Sequence, residues 1–230
     1  MMRTFFIGDV HGCAAELAEL LHAMGCRPGQ DHLLLTGDAF SRGPEPLQVW
    51  EQIQAHRAAM VIGNHEARLL KQLRALRAGQ PPKANWPDQQ YTLDQLTSVI
   101  GELCDWLEDL PLYIETADFL LVHAGINPER GLAGTTRDEF LAIRTWPPVK
   151  GIEGPRWHDH YQPGEKLLVF GHDAPGGLVV KRRAPEQRPY LLGLDSGCIY
   201  GGQLSGYLLE EDQLVQVQSR QHGARWLNEV

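Results

Sequence analysis

Leu33-Leu34-Leu35-Thr36-Gly37-Asp38-Ala39-Phe40-Ser41-Arg42-Gly43 decides how this chain is read. An unbroken apolar run stops abruptly, and a glycine, a carboxylate and an arginine follow at once, as expected of a buried strand that delivers charged groups to a site. The same grammar recurs four times. Phe5-Phe6-Ile7 leads to Asp9 and His11, Met60-Val61-Ile62 to Asn64 and His65, Leu120-Leu121-Val122 to His123, and Leu168-Val169-Phe170 to His172. Strands packed side by side would bring Asp9, His11, Asp38, Asn64, His123 and His172 to one crevice at their carboxyl ends. Two carboxylates, three imidazoles and an amide exceed what one tetrahedral zinc takes. Without thiolates, they suit harder divalent ions such as manganese or ferrous iron. Two ions can share the set if one ligand bridges them, and Asp38, in the middle of the sheet, is the candidate bridge.

Outward from that stretch, strand and helix signals alternate. Arg3 to Ile7 reads as the first strand. Leu17, Leu20, Leu21 and Met24 then repeat at helical spacing up to Gly25, and Leu33 to Thr36 returns to the sheet. A helix carrying Leu47, Trp50 and Ile53 precedes a third strand at Ala58 to Ile62, so the class is α/β with a parallel sheet. From Ala67 the pattern becomes helical. Leu69, Leu70, Leu73 and Leu76 give one helix, ended by Gly79-Gln80-Pro81-Pro82. Thr92 and Gln95 read as a capping box opening a helix of about five turns along Leu93, Leu96, Ile100, Leu103, Leu107 and Leu110. This region, about 67–110, is a helical insertion expected to select substrate; the plainer reading is that its apolar stripe packs on the sheet, and the two are compatible. Thr136 with Glu139 predicts a short capped helix ending near Arg144, and Pro147 to Gly164 reads as loop. Strands expected at Leu167–Phe170, Tyr190–Leu194, Leu204–Leu209 and Leu214–Val217 make the C-terminal third β-rich. The expectation is one domain over 1–219 and a tail over 220–230.

Composition bounds the partners. The chain has 230 residues, 29 acidic against 21 basic, for a formal charge of −8. Nothing overall attracts DNA, RNA or an anionic membrane, so an anionic substrate must be drawn locally. Cys13, Cys26, Cys104 and Cys198 form no Cys-x-x-Cys pair and read as reduced thiols of a cytoplasmic protein, with Cys13 inert. No stretch approaches the roughly 20 apolar residues of a membrane span. His158 and His160 read as solvated surface, and Lys181, Arg182, Arg183 and Arg188 as a solvated loop rather than a rim that attracts polyphosphate.

Gly8-Asp9-x-His11-Gly12, Gly37-Asp38-x-x-x-Arg42-Gly43, Gly63-Asn64-His65-Glu66, His123-Ala124-Gly125 and Gly171-His172, in that order, resemble the motifs of the phosphoprotein phosphatase family within the calcineurin-like metallophosphoesterases. The resemblance implies a sandwich of two β-sheets flanked by helices. It implies one ion held by Asp9, His11 and Asp38, and a second by Asp38, Asn64, His123 and His172. Manganese is the leading expectation, with iron, cobalt, zinc and magnesium as alternatives. A metal-bridging water would attack phosphorus in line, His65 would act as general acid, and Arg42 and, less closely matched, Arg144 would clamp phosphate.

Two departures sharpen this reading. The family usually has Asp-Arg-Gly where this chain has Ser41-Arg42-Gly43, so Glu66 or Asp173 would have to support His65, or the leaving group must need little proton help. Many members also have arginine where this chain has Ile62. Ser41-Arg42-Gly43-Pro44 and Leu194-Asp195-Ser196-Gly197-Cys198-Ile199-Tyr200-Gly201-Gly202 resemble segments of the bacterial symmetrical diadenosine tetraphosphatases. That resemblance implies hydrolysis of a nucleotide polyphosphate, diadenosine tetraphosphate to two ADP. The alternatives are a Ser/Thr protein phosphatase acting on a phosphoprotein, a broad-specificity phosphomonoesterase, and a non-catalytic nucleotide-binding protein.

Overall fold

The computed structural model describes residues 2–148, 152–185 and 187–221, and among them the apolar runs pair as two five-stranded sheets. In one, β1 (Thr4–Ile7), β2 (His32–Leu35) and β3 (Ala59–Met60) run parallel, and β9 (Gln203–Leu208) and β10 (Gln213–Gln218) extend it antiparallel beyond β1. In the other, β5 (Phe119–Val122), β6 (Leu167–Phe170) and β8 (Pro189–Gly193) run parallel, flanked antiparallel by β4 (Tyr113–Glu115) and β7 (Val179–Arg182). This is the expected two-sheet α/β sandwich.

Past the first residues of β1 and β2, Thr4 and His32, the parallel strands are apolar because both of their faces are covered. Phe6, Leu34, Val61, Phe119, Leu121, Val169 and Leu192 fill the space between the sheets. Their neighbours Phe5, Ile7, Leu33 and Leu35 face α1 (Ala14–Ala23) and α2 (Pro46–His56), which contribute Leu17, Leu20, Val49 and Ile53. Phe6 and Phe119, edge to face with ring centroids 4.9 Å apart, tie one sheet to the other. Truncating Phe6 to alanine would cost about 3–5 kcal/mol. A strand enclosed in this way has no room for charge until it emerges, so its polar groups collect at its ends.

The helical region departs from expectation in two ways. The helix before it, α3 (Asn64–Arg77), starts at Asn64 rather than Ala67, which sets Asn64 and His65 in its first turn. The five-turn helix is absent. α4 (Pro87–Gln95) and α5 (Ile100–Glu108) are separated by a 3-10 turn at Thr97–Val99. Thr92 lies inside α4 and donates its hydroxyl to the Asp88 carbonyl at 2.8 Å, so it caps nothing. Thr97 donates its hydroxyl back to the carbonyls of Leu93 and Asp94, the competition by which threonine breaks a helix. The apolar stripe survives the break. Leu93, Leu96, Leu103 and Leu107 are buried with Leu69 and Leu73 in the core, so the stripe packs and offers substrate no surface.

Other expectations also change. Lys181 and Arg182 lie in β7 and are tied down: Lys181 donates to the His158 carbonyl and to Asp159, and Arg182 pairs with both oxygens of Asp212. His158 is buried against Trp157 and Phe170, where burial pushes its pKa down to about 4; His160 is exposed. Arg220 and Gln221, placed in the tail by sequence, bond to Glu16 of α1, and residues 222–230 lie outside the described residues. Thr136 does cap α6 (Arg137–Ala142), exchanging hydrogen bonds with Glu139.

Candidate metal and phosphate site

The three parallel strands of each sheet release their polar residues at one rim of the sandwich. β1 leads to Asp9 and His11, β2 to Asp38, β3 to Asn64, β5 to His123 and β6 to His172. β8 adds Asp195, which sequence reasoning did not single out as a site residue, although the run ending in Leu194 delivers it by the same grammar.

Each expected imidazole is held by a backbone carbonyl. His11 Nδ1 lies 3.2 Å from the Ser41 oxygen, His123 Nδ1 lies 2.8 Å from the Thr36 oxygen, and His172 bonds to the Ala142 carbonyl. With those carbonyls as acceptors, His11 and His123 donate through Nδ1 and keep Nε2 as a bare lone pair, the tautomer a metal requires. Burial lowers the pKa of all three, to about 3 for His11, so the rings are neutral. His172 Nε2 is buried and, among the described residues, has no hydrogen-bond partner. His123 Nε2 faces Asn64 Oδ1 at 3.1 Å. With the ring proton on Nδ1, that contact sets one lone pair against another, and a shared cation would relieve it.

The carboxylates need positive charge as well. Burial raises the pKa of Asp9, and the nearby charges of Asp195 and Asp38 raise it further. Asp38 is pushed up to about 7, mainly by burial. No lysine or arginine ion-pairs with Asp38 among the described residues; its oxygens lie 3.6–3.9 Å from ring nitrogens of His11, His65 and His123. Ligand atoms of His11, Asp38 and His65 lie within 4.8 Å of one another, and so do those of Asp38, His123 and His172. Asp38 belongs to both groups. Asp9 stands outside them, accepting hydrogen bonds from the Thr36 hydroxyl at 2.7 Å and the His172 amide at 3.0 Å. Bare imidazole nitrogens around mutually repelling carboxylates fit a pair of divalent cations.

Backbone shape is part of the construction. Asp38, His11, Arg42 and His172 have φ of 50°, 48°, 78° and 68°, left-handed values that non-glycine residues seldom take and that recur at active sites. Glu66, at the third position of α3, holds the Asp38 loop by accepting the amides of Asp38 at 2.6 Å and Ala39 at 2.9 Å. Gly63 has no alternative, because a β-carbon there would lie 2.2 Å from Asp38 Oδ1.

A cavity of about 770 Å³ opens over these groups, and Arg42, Arg68 and Arg144 line it. Arg42 donates to the Tyr200 hydroxyl and lies 5.7 Å from the centre of that ring. Arg144 donates to the His172 carbonyl at 3.0 Å and lies 3.6 Å from Asp173. Ile62 is buried, with its amide on the Pro111 carbonyl, so position 62 presents nothing to the cavity. His65 also lines it, with its ring edge-on to His11 at 5.0 Å. Neither expected substitute supports His65: Glu66 is spent on backbone amides and Asp173 on Arg156 and Arg144. Burial, His11 and Arg42 hold the His65 pKa well below its ordinary value.

Comparison with known proteins agrees with this geometry. The family model described as calcineurin-like phosphoesterase matches residues 2–217. The symmetrical bis(5'-nucleosyl)-tetraphosphatase of Janthinobacterium sp. (strain Marseille) is 28% identical over 276 residues, covering 96% of this chain and 98% of that protein. The enzyme of the same name from Bordetella pertussis (strain Tohama I) is 30% identical over 93% of this chain and 95% of its own. Among solved structures, a candidate diadenosine tetraphosphatase superposes with a TM-score of 0.76 at 29% identity, over 95% of this chain and 94% of the other.

Proposed function

The chain belongs to the calcineurin-like phosphoesterase family, and on that premise we propose that it hydrolyses dinucleoside polyphosphates, cleaving diadenosine tetraphosphate to two ADP. The observation that carries this reading is Asp38, shared by two ligand groups beside a cavity bearing three guanidinium groups. Asp9, His11 and Asp38 would hold one divalent ion, and Asp38, Asn64, His123 and His172 the other, with manganese our assignment for both. When bound, such a pair supplies an activated water and neutralises phosphate charge.

The chain's own groups supply the rest. Arg42, oriented by Tyr200, offers a planar fork to one phosphate oxygen, and Arg144 offers a second from the His172 side. His65 stands in the cavity wall to protonate the departing oxygen. With no carboxylate hydrogen-bonded to its ring among the described residues and a lowered pKa, His65 is a weak proton reservoir. That suits a diphosphate leaving group, which is far less basic than a serine alkoxide. The names and solved fold of the relatives support the same substrate class.

The test is to supply purified protein with manganese and compare kcat/KM on diadenosine tetraphosphate, p-nitrophenyl phosphate and a phosphoserine peptide. The dinucleotide should be the best substrate, with ADP as the only nucleotide product. A phosphopeptide preference would overturn the reading in favour of a protein phosphatase. Tight dinucleotide binding without turnover under manganese, iron or cobalt would leave a binding protein.

A further inference from the structure

We propose that Arg68 selects the substrate by binding the phosphate of the departing nucleotide; this rests on the reading of the site as a dinucleoside polyphosphate hydrolase. The three arginines of the cavity differ in what holds them. Arg42 is tied to Tyr200, and Arg144 to His172 and Asp173. Arg68 is exposed and, among the described residues, makes no hydrogen bond or ion pair. Its five N–H donors are free.

Its place on α3 says what those donors meet. Asn64, His65 and Arg68 all line the cavity, and residues three and four apart on a helix share one face. Arg68 therefore stands one turn beyond His65, on the side from which the departing oxygen takes its proton. In the reaction the water oxygen bonds to phosphorus, and the bridging P–O bond breaks with its electron pair on the departing diphosphate. That oxygen takes a proton from His65, which is replenished by the proton the water sheds to solvent. In a dinucleoside polyphosphate, the atom bonded to the departing oxygen is a second phosphorus carrying anionic oxygens. In a phosphoserine or nitrophenyl ester it is carbon, with no charge for a guanidinium to meet. Arg68 thus reads the one feature that separates these substrate classes at the leaving-group end. It also spreads the negative charge that builds on that end, which offsets the lack of a carboxylate at Ser41.

The experiment uses the full chain with manganese and the variants Arg68→Ala and Arg68→Lys. In Arg68→Ala the ratio of kcat/KM for diadenosine tetraphosphate to that for p-nitrophenyl phosphate should fall about tenfold, mostly through KM, with partial recovery in Arg68→Lys. An unchanged ratio overturns the assignment while leaving the substrate class intact. A second arm stands apart from the dinucleotide: ADP should inhibit p-nitrophenyl phosphate hydrolysis about tenfold more weakly in Arg68→Ala, whereas inorganic phosphate inhibits both proteins alike. Equal ADP inhibition overturns the role of Arg68 even where diadenosine tetraphosphate proves a poor substrate, an outcome that by itself would count against the substrate class.

Discussion

Asp31 and Asp38 flank the two ends of β2, and both are buried. Asp31 accepts hydrogen bonds from the Arg27 side chain at 3.1 and 3.2 Å and from the Arg3 guanidinium at 3.0 Å, and these cations hold its carboxyl well below the usual range. Asp38 has backbone amides and neutral imidazoles around it, and its carboxyl is pushed up. One strand thus carries a carboxylate answered inside the chain at its entry and an unanswered one at its exit. The unanswered charge is the one that calls for a ligand from outside.

Four measurements break or sharpen that contrast. Asp38→Asn should lower kcat/KM by about a thousandfold or more and strip manganese measured by elemental analysis, without lowering Tm of the metal-free chain. Retained metal would place the bridge elsewhere. His65→Asn should lower kcat at unchanged metal content by about tenfold on diadenosine tetraphosphate and on p-nitrophenyl phosphate, whose leaving groups are similarly weak bases, and by more on a phosphoserine peptide, whose alkoxide needs the proton most. Loss of metal equal to that of Asp38→Asn would refute the division of roles. Asp31→Asn should keep kcat/KM within about twofold while Tm falls by a few degrees, because Arg3 and Arg27 lose their shared anion.

The smallest effect is the sign of the pH dependence. The folded pKa of Asp31 is depressed, so its stabilisation is present above the unfolded value near 4 and is lost as pH falls below it. The folded pKa of Asp38 is raised to about 7, so in the metal-free chain its contribution to stability declines as pH rises from about 4 to 7. Subtracting the Tm profile of each asparagine variant from that of the parent should give slopes of opposite sign. Parallel slopes would erase the contrast.

Much of this was legible in the residues. A strand covered on both faces reads as an unbroken apolar run, and its first polar residues must lie where it emerges, so Asp9, Asp38, Asn64, His123 and His172 could be picked out from the pattern alone. Asp195 obeys the same rule, but in the sequence it stands only inside the Leu194 to Gly202 resemblance, which attaches no ligand role to it. Arg68 resembles Arg74 and Arg77 of the same helix until the helix is phased against the cavity. The break at Thr97 and the burial of His158 depend on partners distant in sequence or on local hydroxyl competition, and the periodicity of leucines reports neither.

The left-handed residues at the strand exits have a consequence for anyone wishing to borrow the site. Each such turn costs of the order of 1–3 kcal/mol, offset here by sheet pairing and by the Glu66 carboxylate. A synthetic peptide copying Gly8–Gly12 or Gly37–Gly43 would relax to right-handed backbone and scatter its donors. The ligand geometry belongs to the whole sandwich, and grafting it elsewhere means transplanting the scaffold along with the side chains.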